Sequence, residues 1–347
     1  MYKSLIRPLL FLLSPEKVHH LIVHTLKISF HIPGIAFFIR KYYEIRSDLL
    51  KREFCGIQFK NPVGFAAGFD KNAEVYREFS SFGFGFIEIG TVTPKPQPGN
   101  EKPRSFRLPQ DKALINRMGF NNHGVNVAAK RLARRDKKDL IIGGNIGKNT
   151  LTPNSEAIHD YVYGFTQLYD YVDYFVVNLS CPNIKNLKEL QDKDQTTEIL
   201  NKLSTIRAEK ESYKPILLKI SPDLNNEQLD DILDIYKETR IDGIVATNTT
   251  VSRDGLTTDK SRIDEIGNGG LSGAPLSKRS TEIITYLHNH NQDLPIMAVG
   301  GIMSVEDVLE KIEAGADLIQ LYTGFIYEGP GFVKRINKAI LEKSKSK

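Results

Sequence analysis

The sequence has little cysteine and no long apolar run. Its two cysteines, Cys55 and Cys181, are too few for a disulfide framework and favour a reducing compartment. No stretch approaches the roughly 18 to 20 apolar residues that cross a bilayer. The short apolar run at residues 9–13 is flanked by prolines and is not followed by a small-residue cleavage site, so we expect no secretory signal. Any membrane contact should therefore be peripheral.

Several chemical signatures are also missing. There is no His, Cys and Asp cluster at metal-ligand spacing, so we expect no metal, and no carboxylate pair typical of glycosidases. The net charge of +5 suits a membrane surface or an anionic ligand. The basic cluster at residues 130–138 has no zinc-finger spacing or aromatic RNA motif beside it. We interpret it as a solvated helix face and expect no nucleic-acid partner.

Residues 1–45 are predicted to form a separate helical extension. Apolar residues recur there at helical spacing in two stripes, separated by Pro33-Gly34 and interleaved with basic residues. This pattern fits a pair of amphipathic helices lying on an anionic membrane. It fits equally well a helical hairpin packed on the main domain. The stripes comprise Val18, Leu21, Ile22, Thr25 and Leu26, and then Ile35, Phe38, Ile39, Tyr42 and Tyr43.

From about residue 53 to the end, at residue 347, short apolar runs alternate with amphipathic segments of helical length. Continuous apolar strands alternating with helices indicate a parallel sheet covered on both faces. Eight units in one domain favour an α/β fold of the (β/α)8, or TIM, barrel type. The doubly wound alternative lacks the expected GxGxxG after its first strand. The eight predicted strands are residues 63–68, 86–90, 140–145, 174–179, 216–220, 243–247, 295–300 and 317–322.

Polar and glycine residues follow almost every predicted strand. Function in such barrels gathers at the carboxyl ends of the strands, so these residues should form one ring. The asparagines offer both donors and acceptors, which suits a flat heterocycle with amide edges. Glycines after strands seven and eight leave backbone N–H groups free for a phosphate. The pattern indicates flavin mononucleotide (FMN) beside a pyrimidine-like substrate.

Six segments resemble motifs of the dihydroorotate dehydrogenase family, and the matches run in the family's order along the chain. The N-terminal helices and the proline-rich insert at residues 94–109 resemble its class 2 branch, which is membrane-associated and uses quinone. The resemblance implies oxidation of (S)-dihydroorotate to orotate in pyrimidine biosynthesis. FMN would carry the electrons to a membrane quinone, and we expect a peripheral protein on the cytoplasmic side of a bacterial membrane. The segments are residues 61–71, 89–94, 116–122, 145–149, 246–250 and 269–273.

The resemblance also implies roles for individual residues. The residues implied to contact FMN are Ala67, Gly68, Thr91, Asn145, Asn178, Lys219, Thr247, Gly273, Gly301, Tyr322 and Thr323. Those implied to hold the substrate are Lys71, Asn116, Arg117, Met118, Gly119, Phe120, Asn178, Asn183, Asn248 and Thr249. His19, Arg107 and Tyr322 would line the quinone entrance.

Cys181 departs from the class 2 pattern. The family places its catalytic base in the segment at residues 178–183, and class 2 members usually carry serine where this chain has Cys181. Class 1 members, which are soluble, carry cysteine. A thiol with an ordinary pKa of about 8.5 is a more accessible base than an alcohol. We expect Cys181 to be the base, with activity that rises with pH in the range of a thiol.

Other functions remain open at this point. The cysteine leaves a fumarate- or NAD-linked dihydroorotate dehydrogenase as one alternative, although the N-terminal helices favour quinone. A barrel that reduces a related pyrimidine is disfavoured by Lys71 and by the absence of iron–sulfur cysteine spacing. A catalytically silent flavin-binding membrane scaffold is disfavoured, because it would not need polar residues gathered at one end of the barrel.

Overall fold

The N-terminal residues form helices that pack against the rest of the chain. The computed structural model describes residues 2–135, 140–179 and 193–345. A π-helical turn, Tyr2–Ile6, leads into α1 (Arg7–Phe11), α2 (Pro15–Ser29) and α3 (Ile35–Tyr43). Pro15 occupies the first turn of α2, where the ring's missing N–H costs nothing. Both predicted stripes are therefore helical. No helix in the described ranges has the length and apolarity to cross a bilayer.

A β-hairpin follows and closes one end of the molecule. It consists of β1 (Arg52–Phe54) and β2 (Ile57–Phe59), which pair antiparallel. Phe54 and Phe59 pack against inward-facing residues of the sheet that follows, including Phe86 and Leu217. The hairpin therefore plugs the amino-terminal end of that sheet.

The chain from residue 63 onward builds a closed eight-stranded barrel, which confirms the predicted fold. Adjacent barrel strands pair in parallel, and their order in space follows their order in sequence. All strands after the hairpin, in chain order, are β3 (Val63–Phe65), β4 (Phe86–Val92), β5 (Ser105–Leu108), β6 (Ala113–Asn116), β7 (Ile141–Ile146), β8 (Tyr174–Asn178), β9 (Ile216–Ile220), β10 (Gly243–Ala246), β11 (Gly270–Gly273), β12 (Ile296–Val299) and β13 (Leu318–Leu321).

Amphipathic helices surround the barrel. Two of them begin with a capping box, in which Asn225 and Ser304 accept from backbone N–H groups of the first turn. The buried layer between the helices and the outer barrel face is the main apolar core. The remaining helices are α4 (Tyr76–Ser80), α5 (Val125–Leu132), α6 (Ala157–Leu168), α7 (Lys193–Ala208), α8 (Asn226–Thr239), α9 (Lys260–Ile266), α10 (Ser277–His290), α11 (Val305–Glu313), α12 (Thr323–Glu328) and α13 (Gly331–Lys345).

A small antiparallel sheet lies outside the barrel and was not predicted. It joins β5, β6 and β11 in the order β11-β6-β5. Strand β5 comes from the segment that we treated only as a proline-rich insert. The N-terminal helices contact this sheet and α12, since Arg107 on β5 donates to the Leu13 carbonyl at 2.5 Å and Tyr2 donates to the Ile326 carbonyl at 2.7 Å. The extension is thus fastened to the carboxyl-terminal end of the barrel.

Candidate active site

One cavity of about 770 Å³ runs from the mouth of the barrel to the inner face of α2. Its walls include the ends of the barrel strands, the outer sheet and the first three helical segments of the chain. The volume lies in the range that binds cofactors and drug-sized ligands. Because the N-terminal helices form one wall, the cavity has a polar end in the barrel and an apolar end beneath α2.

The floor of the polar end is a connected set of buried side chains. The Thr91 hydroxyl donates to Asn145 Oδ1 at 2.6 Å, and Asn178 Nδ2 donates to Thr91 Oγ1 at 3.1 Å. Asn248 Nδ2 in turn donates to Asn178 Oδ1 at 3.2 Å. Lys219 is buried on the neighbouring strand, β9. Asn145, Asn178 and Asn248, three of the asparagines predicted to gather at the strand ends, therefore lie together and hold one another in place.

Glycine turns after β12 and at the start of α12 form one side of the cavity. Gly301 has φ +73°, and a Cβ there would lie 2.1 Å from the Ser277 Cα. Because the turn packs so closely against α10, a residue with a side chain would not fit at position 301. The first N–H groups of a helix have no partner inside it, and Thr323 and Gly324 begin α12 beside the cavity. These backbone donors suit a phosphate group.

Lys71 and Asp70 lie where the first barrel strand leads into α4. Asp70 is buried and accepts from the backbone N–H groups of Glu74 and Val75 at 2.6 and 2.9 Å. Burial raises the pKa of Asp70 to about 6, although these hydrogen bonds oppose the shift. Burial, aided by the charge of Arg104, lowers the pKa of Lys71 to about 8. The Lys71 ammonium lines the cavity and donates to the Gly68 carbonyl at 2.5 Å.

The segment from Asn116 to Phe120 follows β6 and forms another wall. Asn116, Met118, Gly119 and Phe120 line the cavity. Arg117 does not: its guanidinium donates to the Ile266 carbonyl and, at 3.0 Å, to the Asn268 carbonyl, beyond the outer sheet. The Arg117 side chain therefore anchors this segment from outside the cavity, whereas its neighbours in the segment line the cavity.

The apolar end of the cavity lies against α2. The His19 ring packs on Phe69 with 4.5 Å between centroids. Burial and the charge of Lys71 lower the pKa of His19 to about 3, so the ring is neutral. The guanidinium of Arg107 lies 4.4 Å from the Phe11 ring centroid. His19, Arg107 and Tyr322 all line the cavity, as the predicted entrance requires.

The structure brings most of the remaining predicted residues to the same cavity. Asn145 is the exception among the cofactor residues, because it is fully buried within the floor and does not itself line the cavity. Cys181 and Asn183 lie outside the described residues. The predicted residues that line the cavity, besides those already placed there, are Ala67, Gly68, Thr91, Asn178, Lys219, Thr247, Asn248, Thr249 and Gly273.

Three groups near the site were not found from the sequence. Glu88 and Gln320 lie inside the barrel on strands that were predicted from their apolar character. Glu88 is fully buried, whereas Gln320 also lines the cavity. The Arg104 guanidinium donates to Glu16 of α2 at 2.7 Å and ties that helix to the segment before β5. None of these residues ends a predicted strand or belongs to a recognised motif, so no local signal marks them. In the described ranges, no group of His, Cys, Asp and Glu could hold a metal ion.

The comparisons with known proteins agree with this geometry. The family profile described as dihydroorotate dehydrogenase matches residues 49–343. A dihydroorotate dehydrogenase (quinone) from Christiangramia forsetii is 56% identical over 344 residues, covering 99% of each chain. One from Thermosynechococcus vestitus is 45% identical, covering 98% of this chain and 96% of its own. The crystal structure of DHODH from Eimeria tenella in complex with ferulenol superposes with a TM-score of 0.85 at 35% identity, covering 96% of this chain and 93% of its own.

Proposed function

Because this chain belongs to the dihydroorotate dehydrogenase family, we propose that the cavity holds FMN and dihydroorotate at its polar end and admits quinone through its apolar end. The enzyme oxidises dihydroorotate to orotate in pyrimidine biosynthesis and passes the electrons to a quinone. The observation that supports the arrangement best is the continuity of one cavity from the asparagine floor to α2. Substrate and quinone can therefore approach a common cofactor from different sides.

The residues present fit FMN on independent grounds. The glycine turn at Gly301 and the start of α12 offer backbone donors for the phosphate. Gln320 is buried, lines the cavity and carries an oxygen with no hydrogen-bond partner among the described residues. The positively charged side chain of Lys219 would lie against the ring system of the flavin. When bound, FMN would take the hydride from C6 of dihydroorotate and supply the electrons that reduce quinone.

The substrate is anionic and carries amide edges, which the polar end can match. Lys71 would pair with the carboxylate of dihydroorotate, because its ammonium lines the polar end of the cavity and Lys219 would lie against the flavin. Asn116, Asn178 and Asn248 would read the imide edges of the ring, since each amide offers a donor and an acceptor. We expect Asn183 and Thr249 to complete this set.

Cys181 is the proposed base that removes the C5 proton of dihydroorotate. Its thiolate would take the proton from C5 while C6 gives its hydride to the flavin, and the electrons of the broken C5–H bond would form the C5–C6 double bond of orotate. Asn178 precedes it by three residues and is anchored to the floor, which places the start of this segment at the cavity. A cysteine in this role, in a chain of the quinone-using branch, is the feature in which this chain departs from the usual class 2 pattern.

The N-terminal helices are the proposed docking surface for a membrane. Large apolar residues on them face outward; Leu9, Leu12, Phe37 and Phe38 are 67%, 83%, 62% and 67% exposed. Such a face is stabilised by burial in the boundary between lipid headgroups and acyl chains. Quinone dissolved in the bilayer would then enter the apolar end of the cavity between the helices. We place the enzyme peripherally on the cytoplasmic face of a bacterial membrane.

The acceptor test separates this proposal from its alternatives. The protein would be purified in mild detergent, reduced anaerobically with dihydroorotate while flavin absorbance is followed, and divided among a short-chain quinone, fumarate and NAD. We expect bleaching by dihydroorotate and rapid reoxidation by the quinone alone. Reoxidation by fumarate or NAD would support the alternative acceptor that Cys181 left open and would contradict the quinone acceptor that the N-terminal helices favour. A flavin that dihydroorotate does not bleach would refute the assigned substrate.

A further inference from the structure

A carboxyl group lies in the centre of the barrel, directly below the proposed flavin site. Glu88 is fully buried on β4, and its oxygens accept from amide groups on two other strands. Asn145 Nδ2 donates to Glu88 Oε1 at 2.8 Å, and Gln320 Nε2 donates to Glu88 Oε2 at 2.5 Å. Tyr174 adds its hydroxyl at 3.5 Å. Burying such a group is costly, so its retention under a binding site calls for a role.

Each oxygen of the Glu88 carboxyl group accepts from an amide NH₂ group, and this fixes the direction of the bonds above it. Asn145 must turn its NH₂ group down to Glu88, so its oxygen faces upward. That oxygen accepts from the Thr91 hydroxyl at 2.6 Å and from Asn178 Nδ2 at 3.4 Å. Asn178 is then left with its oxygen toward Asn248, whose NH₂ group donates to it at 3.2 Å. One carboxylate thus sets the orientation of three successive amides.

Gln320 lies on β13, which is separated from β4 by one strand, β3, and Glu88 fixes its orientation in the same way. Its NH₂ group is committed to Glu88, so its oxygen is the atom left for the cavity that it lines. Gln320 is 1% exposed, and this oxygen has no partner among the described residues. A buried amide oxygen without a donor is unfavourable by an amount comparable to a lost hydrogen bond. A ligand that brings an N–H or O–H group to this point would remove the deficit.

We infer that Glu88 is a positioning residue that orients Asn145 and Gln320, so that Gln320 Oε1 accepts a hydrogen bond from the bound flavin and Asn178 and Asn248 present fixed edges. This inference rests on the proposed function, since it assumes that FMN occupies the polar end. Glu88 touches neither substrate nor flavin. It acts through the amides and through its negative charge.

The Glu88→Gln variant tests the role with almost no change in volume. The NH₂ group of the new glutamine would face the NH₂ group of either Asn145 or Gln320. Two donors would then oppose each other, so one of these amides would have to rotate to present its oxygen instead. We expect FMN to bind roughly tenfold more weakly in fluorescence titrations of the protein with FMN. Loss of the buried negative charge should also make the flavin's reduction potential more positive in an equilibrium dye titration, because the electron-rich reduced form meets less repulsion.

The reciprocal double variant, Glu88→Gln with Gln320→Glu, again places an NH₂ donor opposite a carboxylate acceptor at the contact between positions 88 and 320. The amide introduced on β4 can then donate to the carboxylate introduced on β13 and accept from Asn145, so the amides above Asn145 recover their orientation. We expect FMN affinity to return toward that of the wild type and the potential to fall below that of Glu88→Gln. A residue that merely filled space would give no such rescue.

Asp242→Asn is the matched control at the other end of the barrel. It is also a carboxylate-to-amide change in a bonded network, because Asp242 accepts from Ile216 N at 2.8 Å and pairs with Arg207. It does not line the cavity, so it should lower thermal stability and leave FMN affinity and potential unchanged. If Glu88→Gln does not fold, Gln320→Met provides the second test and should also weaken FMN binding about tenfold.

The outcomes separate this inference from the proposed function. A wild-type protein that fails to bind FMN overturns both. A wild-type protein that binds FMN but is not bleached by dihydroorotate overturns the assigned substrate alone. A wild-type protein that does both, with affinity and potential unchanged in Glu88→Gln, overturns the role of Glu88 alone. Unchanged FMN affinity in Gln320→Met likewise overturns the hydrogen bond to flavin.

Discussion

At the scale of single residues, burial decides the charge state of Lys71. Its pKa of about 8 means that the ammonium predominates at neutral pH and is lost as pH rises through 8. We expect the dissociation constant of orotate, followed by the flavin difference spectrum, to increase above that pH. Lys71→Met should bind orotate roughly 10- to 100-fold more weakly and lose this dependence on pH. Lys130→Met, the same change on the exposed face of α5, should behave as the wild type.

The two cysteines offer a second test at this scale. Burial, with the charges of Asp242 and Asp317, raises the pKa of the Cys55 thiol, so Cys55 should resist alkylation. We expect iodoacetamide to inactivate the wild type and Cys55→Ala at equal rates that rise toward pH 8.5. Cys181→Ser should keep turnover, with its pH profile moved upward, and should resist inactivation. Unchanged turnover in Cys181→Ala would refute its role as the base.

At the scale of elements, the ion pair between Glu16 and Arg104 fastens α2 to the segment before β5. Desolvation would raise the pKa of Glu16, but the hydrogen bond and charge of Arg104 outweigh it and hold that pKa below its ordinary value of 4.5. The contribution to stability is therefore present above pH 4.5 and is lost as pH falls through the lower pKa of the folded state.

Glu16→Gln leaves the buried Arg104 without its carboxylate partner, although its hydrogen bonds to the Pro98 and Asn100 carbonyls remain. We expect the free energy of unfolding to fall by about 2 kcal/mol at pH 7 in urea titrations. At acidic pH the variant and the wild type should have the same free energy of unfolding. Lys102 reaches the same carboxylate at 3.5 Å but is 64% exposed. Lys102→Met should consequently lower the free energy of unfolding by less than about 0.5 kcal/mol. Equal effects in the two variants would contradict this difference in burial.

The outward face of α3 belongs to the same scale. Phe37→Ser with Phe38→Ser removes two exposed rings, and we expect binding to anionic vesicles to weaken at least tenfold in cosedimentation, because each ring contributes roughly 1.5 to 3 kcal/mol on burial. Dihydroorotate oxidation with a soluble dye should not change. Leu151→Ser changes a side chain that is 95% exposed on a barrel loop and should not affect vesicle binding.

At the scale of the whole molecule, the cavity joins the barrel, the outer sheet and the N-terminal helices, so a ligand there should stabilise all of them together. FMN at a hundredfold excess over its dissociation constant should add about 2.7 kcal/mol to the free energy of unfolding by mass action. We expect the thermal midpoint to rise with the logarithm of FMN concentration. Riboflavin lacks the phosphate and should raise the midpoint less at the same concentration, if the turn at Gly301 binds phosphate.

Much of the architecture can be predicted along the chain because its signals are local. The barrel strands begin within one residue of their predicted starts, since apolar runs and the amphipathic segments between them follow from near neighbours in sequence. The stripes of α2 and α3 were likewise predicted from spacing alone. The family and its quinone branch followed from motifs and are confirmed by the comparisons. The individual site roles stay predictions.

Only the tertiary structure decided which distant groups meet. The outer sheet pairs Asn116 with Gly270, which are far apart in sequence, so no local period could reveal it. Arg117 belongs to a segment that was predicted to hold the substrate, but its side chain contacts the carbonyls of Ile266, at the end of α9, and Asn268 instead of the cavity. Glu88 and Gln320 are single polar residues in apolar strands, and their contact depends on how the closed barrel staggers β4 against β13. Sequence determined the elements and the chemistry at the strand ends, whereas closure of the barrel determined what lies beneath them.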